Sequence, residues 1–209
     1  SILLGAYAGE VGRARSILAP GLLGHWADAP TYDYDPAQAM ALLSEAGVSG
    51  LELTFTCLND TQSVAVAQIA QATLAAIGVT LILNPLDPGA YWAMGANDAS
   101  RDLQLTLIPY SSKIDPSFQT QWFLSEQIGL WNWQRWGDPE FDRLHREAAA
   151  VMDPAVRQGM YEQMQALIDQ SATCVWLTHG RMIYVTRDWL EPAFLANPRN
   201  LRLEDFRPA

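Results

Sequence analysis

Residues 51–83, LELTFTCLNDTQSVAVAQIAQATLAAIGVTLIL, contain the pattern that decides the fold. Residues 51–57 alternate apolar and polar side chains, which is the period of a half-buried strand. Asp60 or Thr61 can begin a helix whose apolar residues share one face and which ends at Gly78, and VTLIL then predicts a second strand. A strand, a helix of about four turns and a second strand form a βαβ unit, so the pattern predicts parallel strands with a right-handed crossover.

Five Asp-Pro pairs predict the starts of further elements, at Asp35, Asp87, Asp115, Asp138 and Asp153. An aspartate can accept hydrogen bonds from the free N–H groups at a helix start, and proline is tolerated at the first helical position. This capping role explains most of these carboxylates without acid–base chemistry.

Apolar residues at helical spacing follow several of the pairs, which predicts that residues such as Leu42 and Val156 face a core. Further strands are predicted over residues 103–109, 174–177 and 182–185. Helices and strands that alternate in this way indicate an α/β protein.

The composition indicates an acidic globular protein. The 209 residues include 13 basic and 23 acidic side chains, a formal net charge of −10, with 49% hydrophobic and 17% charged residues. An acidic surface without a Lys/Arg-rich stripe repels phosphate groups, which argues against nucleic acid and anionic membranes as partners. No targeting segment or bilayer-spanning segment is recognisable.

The sequence offers little catalytic chemistry, and we predict no enzyme, no metal site and no cofactor. The three histidines lack metal-ligand spacing, and the nucleophile-elbow, dinucleotide and phosphate-loop motifs are absent. Cys57 and Cys174 lie in apolar runs that favour buried free thiols. A nucleophile pair of Cys174 and His179 remains an alternative.

Three indoles within six residues form the most site-like feature of the sequence. Trp131, Trp133 and Trp136 lie in GLWNWQRWGD, and an extended backbone would place the first two on the same face. Such rings can stack on a sugar or an apolar side chain, or cover a cation. They can equally cover the edge of a core. A free-standing carbohydrate-binding module with a Trp platform is therefore an alternative function.

The order of motifs resembles one known family. Residues 32–47, YDYDPAQAMALLSEAG, resemble the Y-D-P-x-x-A-x-x-L-L-x-x-A-G signature of the family 5 extracellular solute-binding proteins, which serve ABC importers of peptides, nickel and related solutes. The resemblance continues through VAQIAQATLAAIGVTLIL and the Asp-Pro pair at Asp115. It then includes residues 137–180, so that it covers about residues 20–200 in the family's order.

The resemblance implies the C-terminal lobe of a type II periplasmic-binding-protein-like fold, with a mixed sheet and flanking helices. Residues 1–34 would connect the lobe, residues 35–190 would form it, and residues 191–209 would return towards an N-terminal lobe. The parent protein would be exported to the periplasm, free or lipid-anchored, and would close on its solute by hinge motion. We expect this chain to be a fragment that lacks the N-terminal lobe and the export signal.

The function implied by the resemblance is capture of a peptide-like or other small polar solute between two lobes, and its delivery to the membrane subunits of an ABC permease. The loop after the strand that precedes the Asp-Pro pair faces the solute in the family. By position, this loop predicts Tyr110, Ser111 and Ser112 as ligand-binding residues, and Trp131 and Trp133 as nearby aromatic walls.

The sequence departs from the family at one position of this loop. Similar peptide-binding members place an aspartate four residues before the proline, where it pairs with the peptide ammonium, and Ser112 occupies that position here. A hydroxyl cannot supply a charge-assisted hydrogen bond. Asp115 could replace the missing carboxylate only if the loop bends differently, so this departure argues against a free peptide as the solute and favours another polar molecule.

Overall fold

The computed structural model describes residues 2–111, 113–180, 184–194 and 201–208. The helices and strands follow one another as α1 (Ile2–Tyr7), α2 (Pro36–Glu45), β1 (Glu52–Leu58), α3 (Thr61–Ala75), β2 (Thr80–Leu86), α4 (Pro88–Ala93), β3 (Leu105–Thr106), α5 (Ser117–Thr120), α6 (Pro139–Ala150), α7 (Pro154–Gln170), β4 (Leu190–Glu191) and β5 (Arg207–Pro208). Short 3₁₀ turns occur at Gln121–Phe123, Ser125–Gln127 and Leu203–Asp205.

The predicted βαβ unit is confirmed, because β1 and β2 pair in parallel from Glu52 opposite Thr80 to Leu58 opposite Leu86. β3 pairs in parallel with the other edge of β1, which gives the sheet order β2-β1-β3. The described strands β4 and β5 form a separate antiparallel ribbon. The α/β class is therefore confirmed, and the carboxyl ends of the three parallel strands lie at the same edge of the sheet.

The third strand is shorter than predicted, with two residues in place of the stretch over residues 103–109. A side chain occupies part of the space beside β1, where the Thr54 amide donates a hydrogen bond to Gln104 Oε1 at 2.6 Å. Backbone pairing continues for one step beyond β3, from the Leu107 amide to the Thr56 carbonyl at 3.2 Å.

The capping role predicted for the Asp-Pro pairs is confirmed. The Asp35 carboxylate accepts from the Gln38 amide at the start of α2, and aspartates cap α4, α6 and α7 in the same way. Asp115 accepts from the Ser117 amide at 2.9 Å. Asp60 caps α3 through the amides of Gln62 and Ser63.

Two hydrophobic cores support the described part of the chain. One lies between α6, α7 and the segment near Leu18 and Phe123, and the other lies between α3 and the strands β1 and β2. The predicted inward residues of α6 and α7 include five that are fully or almost fully buried: Phe141, Leu144, Ala148, Met164 and Ile168.

Three residues of the predicted apolar faces are exposed: Leu42, Ala46 and Val156. Leu42 is 58% exposed, because α2 contacts the second core through Leu43 instead. Val156 is 48% exposed, because it lies in the first turn of α7, before the buried residues that begin at Tyr161. Helical spacing indicates an apolar face, but it does not show how much of that face a neighbour covers.

The strand predicted over residues 174–177 is wrong. This segment belongs to no strand, and the chain at its end contacts residues 12–14 through isolated bonds. The Ala14 amide donates to the Leu177 carbonyl at 3.1 Å, and Thr178 Oγ1 donates to the Gly12 carbonyl at 2.9 Å. Of the strand predicted over 182–185, residues 182 and 183 lie outside the described part, and residues 184 and 185 are not in a strand.

Glutamines of α7 fix the irregular segment near Leu18 and Gly24 to the first core. Gln165 is fully buried; its Oε1 accepts from the Leu18 amide at 3.2 Å, and its Nε2 donates to the carbonyls of Gly24 and Tyr161 at 2.7 and 2.9 Å. Gln158 Oε1 accepts a hydrogen bond from the Gly24 amide at 2.6 Å, and its Nε2 donates to the His25 carbonyl at 2.9 Å. These side chains satisfy backbone groups that would otherwise be buried without partners.

No helix in the described ranges has both the length and the apolar composition that a bilayer crossing requires. The predicted boundaries of the lobe, after residue 34 and after residue 190, stay predictions.

We predict that Gln165→Met lowers the free energy of unfolding by about 2–4 kcal/mol, because it leaves the Leu18 amide and the Gly24 carbonyl buried without partners. Urea unfolding of the purified chain measures this loss. Gln163→Met is the matched control, since Gln163 lies on the same helix with an exposed side chain. Equal effects of the two substitutions would contradict the role assigned to Gln165.

Candidate functional site

The predicted loop lies at the carboxyl end of the parallel sheet. β3 ends at Thr106, and Tyr110, Ser111 and Asp115 follow it before α5 begins. Ser111 and Asp115 are exposed, whereas Tyr110 is partly buried. Ser112 lies outside the described residues. Ligands of open α/β sheets bind outside the carboxyl ends of the strands, so the loop occupies the expected edge.

Tyr110 joins this loop to the Trp-rich segment. Its hydroxyl donates to the Trp131 carbonyl at 3.1 Å and to Gln134 Oε1 at 3.3 Å. Its ring lies nearly parallel to that of Trp122, with centroids 6.2 Å apart and an angle of 14°. Burial raises the pKa of Tyr110 far above its ordinary value, so the phenol remains a neutral donor.

Trp131 and Trp133 lie together in different environments, although residues 129–131 and 133–134 form turns and not the extended backbone on which the sequence prediction depended. Their rings are stacked at 6.3 Å and 16°, and Trp92 lies tilted against both. Trp131 is partly exposed, whereas Trp133 is only 2% exposed. Trp133 therefore supports Trp131 from behind, and its predicted direct contact with a ligand stays a prediction that this geometry does not favour.

The carbohydrate platform finds no support in this geometry. A platform requires Trp131, Trp133 and Trp136 to present coplanar exposed faces. Trp133 is buried, and Trp136 packs edge-on against Phe141 at 5.1 Å and 84°. These two indoles cover a core, as the other interpretation of the motif expected.

Three residues of the site were not recognised from the sequence as functional. Trp92 and Trp122 pack their rings against Trp131, and we call Tyr110, Trp131 and these two rings the aromatic wall. Asp98 forms an ion pair with Arg135. Each lies between 9 and 39 positions from Trp131 in the chain, and no spacing rule connects them. The high tryptophan content, eight residues, was the only available signal.

Asp115 is already engaged by a cation of the chain. Its Oδ2 lies 2.8 Å from Nη2 of Arg157, whose guanidinium lies over the Tyr161 ring at 5.6 Å. Partial burial acts to raise the pKa of Asp115, but hydrogen bonds from Ser117 and Arg157 outweigh it and lower the pKa. A solute ammonium would have to compete with Arg157 for this carboxylate, which weighs against Asp115 as the replacement counter-charge.

The nucleophile alternative also finds no support. Burial raises the pKa of Cys174 to about 12 and lowers the pKa of His179. The thiol is therefore protonated at neutral pH and is a poor nucleophile. Both cysteines are free, and Cys57 is 1% exposed. Across the described residues, no cluster of three or more His, Cys, Asp or Glu side chains could hold a metal ion.

We predict that wild type is more stable than Asp115→Asn at pH 6, by up to about 1 kcal/mol, and that this advantage vanishes at pH 2. The folded-state pKa of Asp115 is depressed, so its contribution is present above its usual pKa of 3.8 and is lost as the pH falls through the folded value. Asparagine keeps the acceptor for the Ser117 amide, and it replaces Oδ2, the charged acceptor for Arg157, by a neutral NH2 group.

Urea unfolding of both chains between pH 6 and pH 2 measures this difference. Asp35→Asn is the control, because Asp35 caps α2 and makes no ion pair in the described part of the chain. A difference for Asp115→Asn that does not change with pH would contradict the prediction.

Sequence comparison gives the relatives of this chain. The family described as "Bacterial extracellular solute-binding proteins, family 5 Middle" matches residues 1–130. Di/tripeptide-binding protein 4 of Pseudomonas aeruginosa is 30% identical over 191 residues, which cover 86% of this chain and 34% of that protein. The chain therefore spans about a third of the length of this relative.

Structural comparison gives the same fold. An ABC transporter substrate-binding protein from Listeria monocytogenes superposes with a TM-score of 0.77 at 28% identity, over 85% of this chain and 37% of that chain. A periplasmic binding protein associated with an ABC transporter of Helicobacter pylori, solved with the peptide STSA, superposes with a TM-score of 0.73 at 24% identity, over 82% of this chain and 34% of that chain. The second likeness supports the fold alone.

These relatives are solute-binding transport proteins, and the fold of the chain is that of type II periplasmic binding proteins. Because the family match covers more than half of the 209 residues, the chain belongs to the family 5 bacterial extracellular solute-binding proteins.

Proposed function

We propose that this chain is the C-terminal lobe of a periplasmic solute-binding protein of an ABC importer, and that it performs binding without chemistry. The solute is a small peptide or a similar polar molecule, which the complete protein delivers to the permease. The observation that carries this proposal is the wall of Tyr110 and Trp131 at the carboxyl edge of the parallel sheet. The names of the relatives support the solute class.

The wall supplies two kinds of contact to a solute. The partly exposed rings of Trp131 and Tyr110 remove water from an apolar group, while the exposed Ser111 offers a hydroxyl and backbone groups for hydrogen bonds. The Tyr110 hydroxyl is already used inside the wall. Because Trp133 fills the space behind Trp131, the surface is ordered before the solute arrives, which reduces the entropy lost on binding.

The relatives are about three times as long as this chain, which supports a second lobe opposite the wall. Under the proposal, residues 35–190 form the lobe described here and residues 191–209 lead back towards its partner. The second lobe supplies the remaining contacts when the two close on the solute. The chain alone therefore provides one side of the site.

We predict that this chain alone binds the dipeptide L-alanyl-L-phenylalanine weakly, with a Kd between about 0.1 and 10 mM, because half of the contacts are absent. Titration followed by ¹H–¹⁵N NMR should shift the signals of Ser111 and the Trp131 indole. Trp131→Ala should abolish the shift at Ser111, whereas Trp189→Ala should retain it, since Trp189 is a 61% exposed indole outside the wall.

Two outcomes would contradict this proposal. Micromolar or tighter binding by the chain alone would oppose the two-sided site. Saturable shifts confined to residues outside the wall would place the solute elsewhere.

A further inference from the structure

The turn that follows α4 passes directly against the Trp131 indole. Gly95 lies in this turn, is buried, and donates its amide to the Trp92 carbonyl at 3.2 Å. A Cβ at Gly95 would lie 2.7 Å from Cζ3, 2.8 Å from Cη2 and 3.0 Å from Cε3 of Trp131. These distances are shorter than van der Waals contact, so any side chain at this position displaces the indole.

The backbone does not require glycine at this position. The φ angle of Gly95 lies outside the left-handed region, so an alanine could adopt the same conformation. The missing Cβ therefore serves the contact with Trp131 rather than the turn.

The indole has little freedom to retreat elsewhere. The rings of Trp92, Trp122 and Trp133 surround it, with centroids 6.3–6.4 Å away. The Trp131 carbonyl is fixed by the Tyr110 hydroxyl. A close-packed set of rings transmits a displacement instead of absorbing it, so the indole can move only towards its exposed side.

A separate set of contacts fixes the turn to the Trp-rich loop. The Asp98 carboxylate pairs with Arg135 and, at 3.0 Å, with Arg101, and the Asp98 amide donates to the Gly129 carbonyl at 3.0 Å. The Arg135 guanidinium holds the pKa of Asp98 below its ordinary value. Asp98 and Arg135 both have positive φ, +58° and +53°, a conformation that persists where surrounding contacts enforce it.

We infer that Gly95 is a positioning residue for the solute wall: the hydrogen atom in place of its side chain sets how far the Trp131 indole projects from the lobe. This inference rests on the proposed function, because it gives Trp131 the role of a wall. A side chain at position 95 would push the indole outward and narrow the space for an apolar group of the solute.

The test uses Gly95→Ala in a chain labelled with 5-fluorotryptophan. Eight ¹⁹F signals are expected, and Trp131→Phe assigns one of them by deletion. Gly95→Ala should shift the Trp131 signal and leave that of Trp189 in place. It should also weaken binding of L-alanyl-L-phenylalanine by about threefold or more, which corresponds to the loss of about one methylene group of apolar burial.

Gly159→Ala is the matched control, because a Cβ at Gly159 on α7 meets nothing within 4 Å. This control should leave both the Trp131 signal and the affinity unchanged. The double variant Gly95→Ala/Trp131→Phe covers the case in which Gly95→Ala fails to fold, since phenylalanine lacks the outer ring that the Cβ would meet. Recovery of stability in the double variant, relative to Gly95→Ala, supports the contact.

The outcomes separate the inference from the proposed function. If Gly95→Ala shifts the Trp131 signal but the wild-type chain does not bind the dipeptide, the result supports the contact between Gly95 and Trp131 and contradicts the proposed role of the wall in binding the solute. If wild type binds and Gly95→Ala changes neither the signal nor the affinity, the inference is overturned.

Discussion

The buried side chain of Gln165 holds together the parts of the chain that local sequence does not order. Its amide binds Leu18 and Gly24, so an irregular segment can be buried without leaving backbone groups unsatisfied. Arg157, about two helical turns before Gln165 on α7, engages Asp115 of the site loop. The helix α7 thus contacts both the irregular segment near Leu18 and Gly24 and the loop at the carboxyl edge of the sheet. The loop of the candidate site is therefore attached to this helix through Asp115 and to the sheet through β3.

The aromatic wall continues the connection from the helical core to the sheet. Tyr110 contacts Phe123 in the first core, and Tyr91 of α4 donates its hydroxyl to the Leu107 carbonyl just beyond β3. Between them lie the indoles of Trp122, Trp131 and Trp133. Each of the two interpretations of the Trp-rich motif therefore fits a different residue. Trp133 is buried and makes core contacts, whereas Trp131 is partly exposed and presents a surface.

The sequence predicted those features of the fold that depend on interactions between residues close in the chain. The alternation over residues 51–57 and the cap at Asp60 predicted the parallel βαβ unit, because the period of a strand and the start of a helix depend on neighbours in the chain. The exposure of Leu42 and the absence of a strand at residues 174–177 depend on which distant parts of the chain pack against these residues. The periodicity of the sequence does not indicate those long-range contacts. Family resemblance gave Tyr110 as a candidate site residue. No motif could indicate the role proposed for Gly95, because that role rests on a contact with a residue 36 positions away.

The charge states around the wall suit binding better than catalysis. A general acid or base works best when its pKa lies near the working pH. Here burial keeps the Tyr110 phenol and the Cys174 thiol protonated, and the hydrogen bonds of Asp115 keep its carboxylate ionised. None of these groups changes charge near neutral pH. Under the proposed function, recognition of a solute would therefore depend on shape and hydrogen bonding rather than on the titration of any of these three groups.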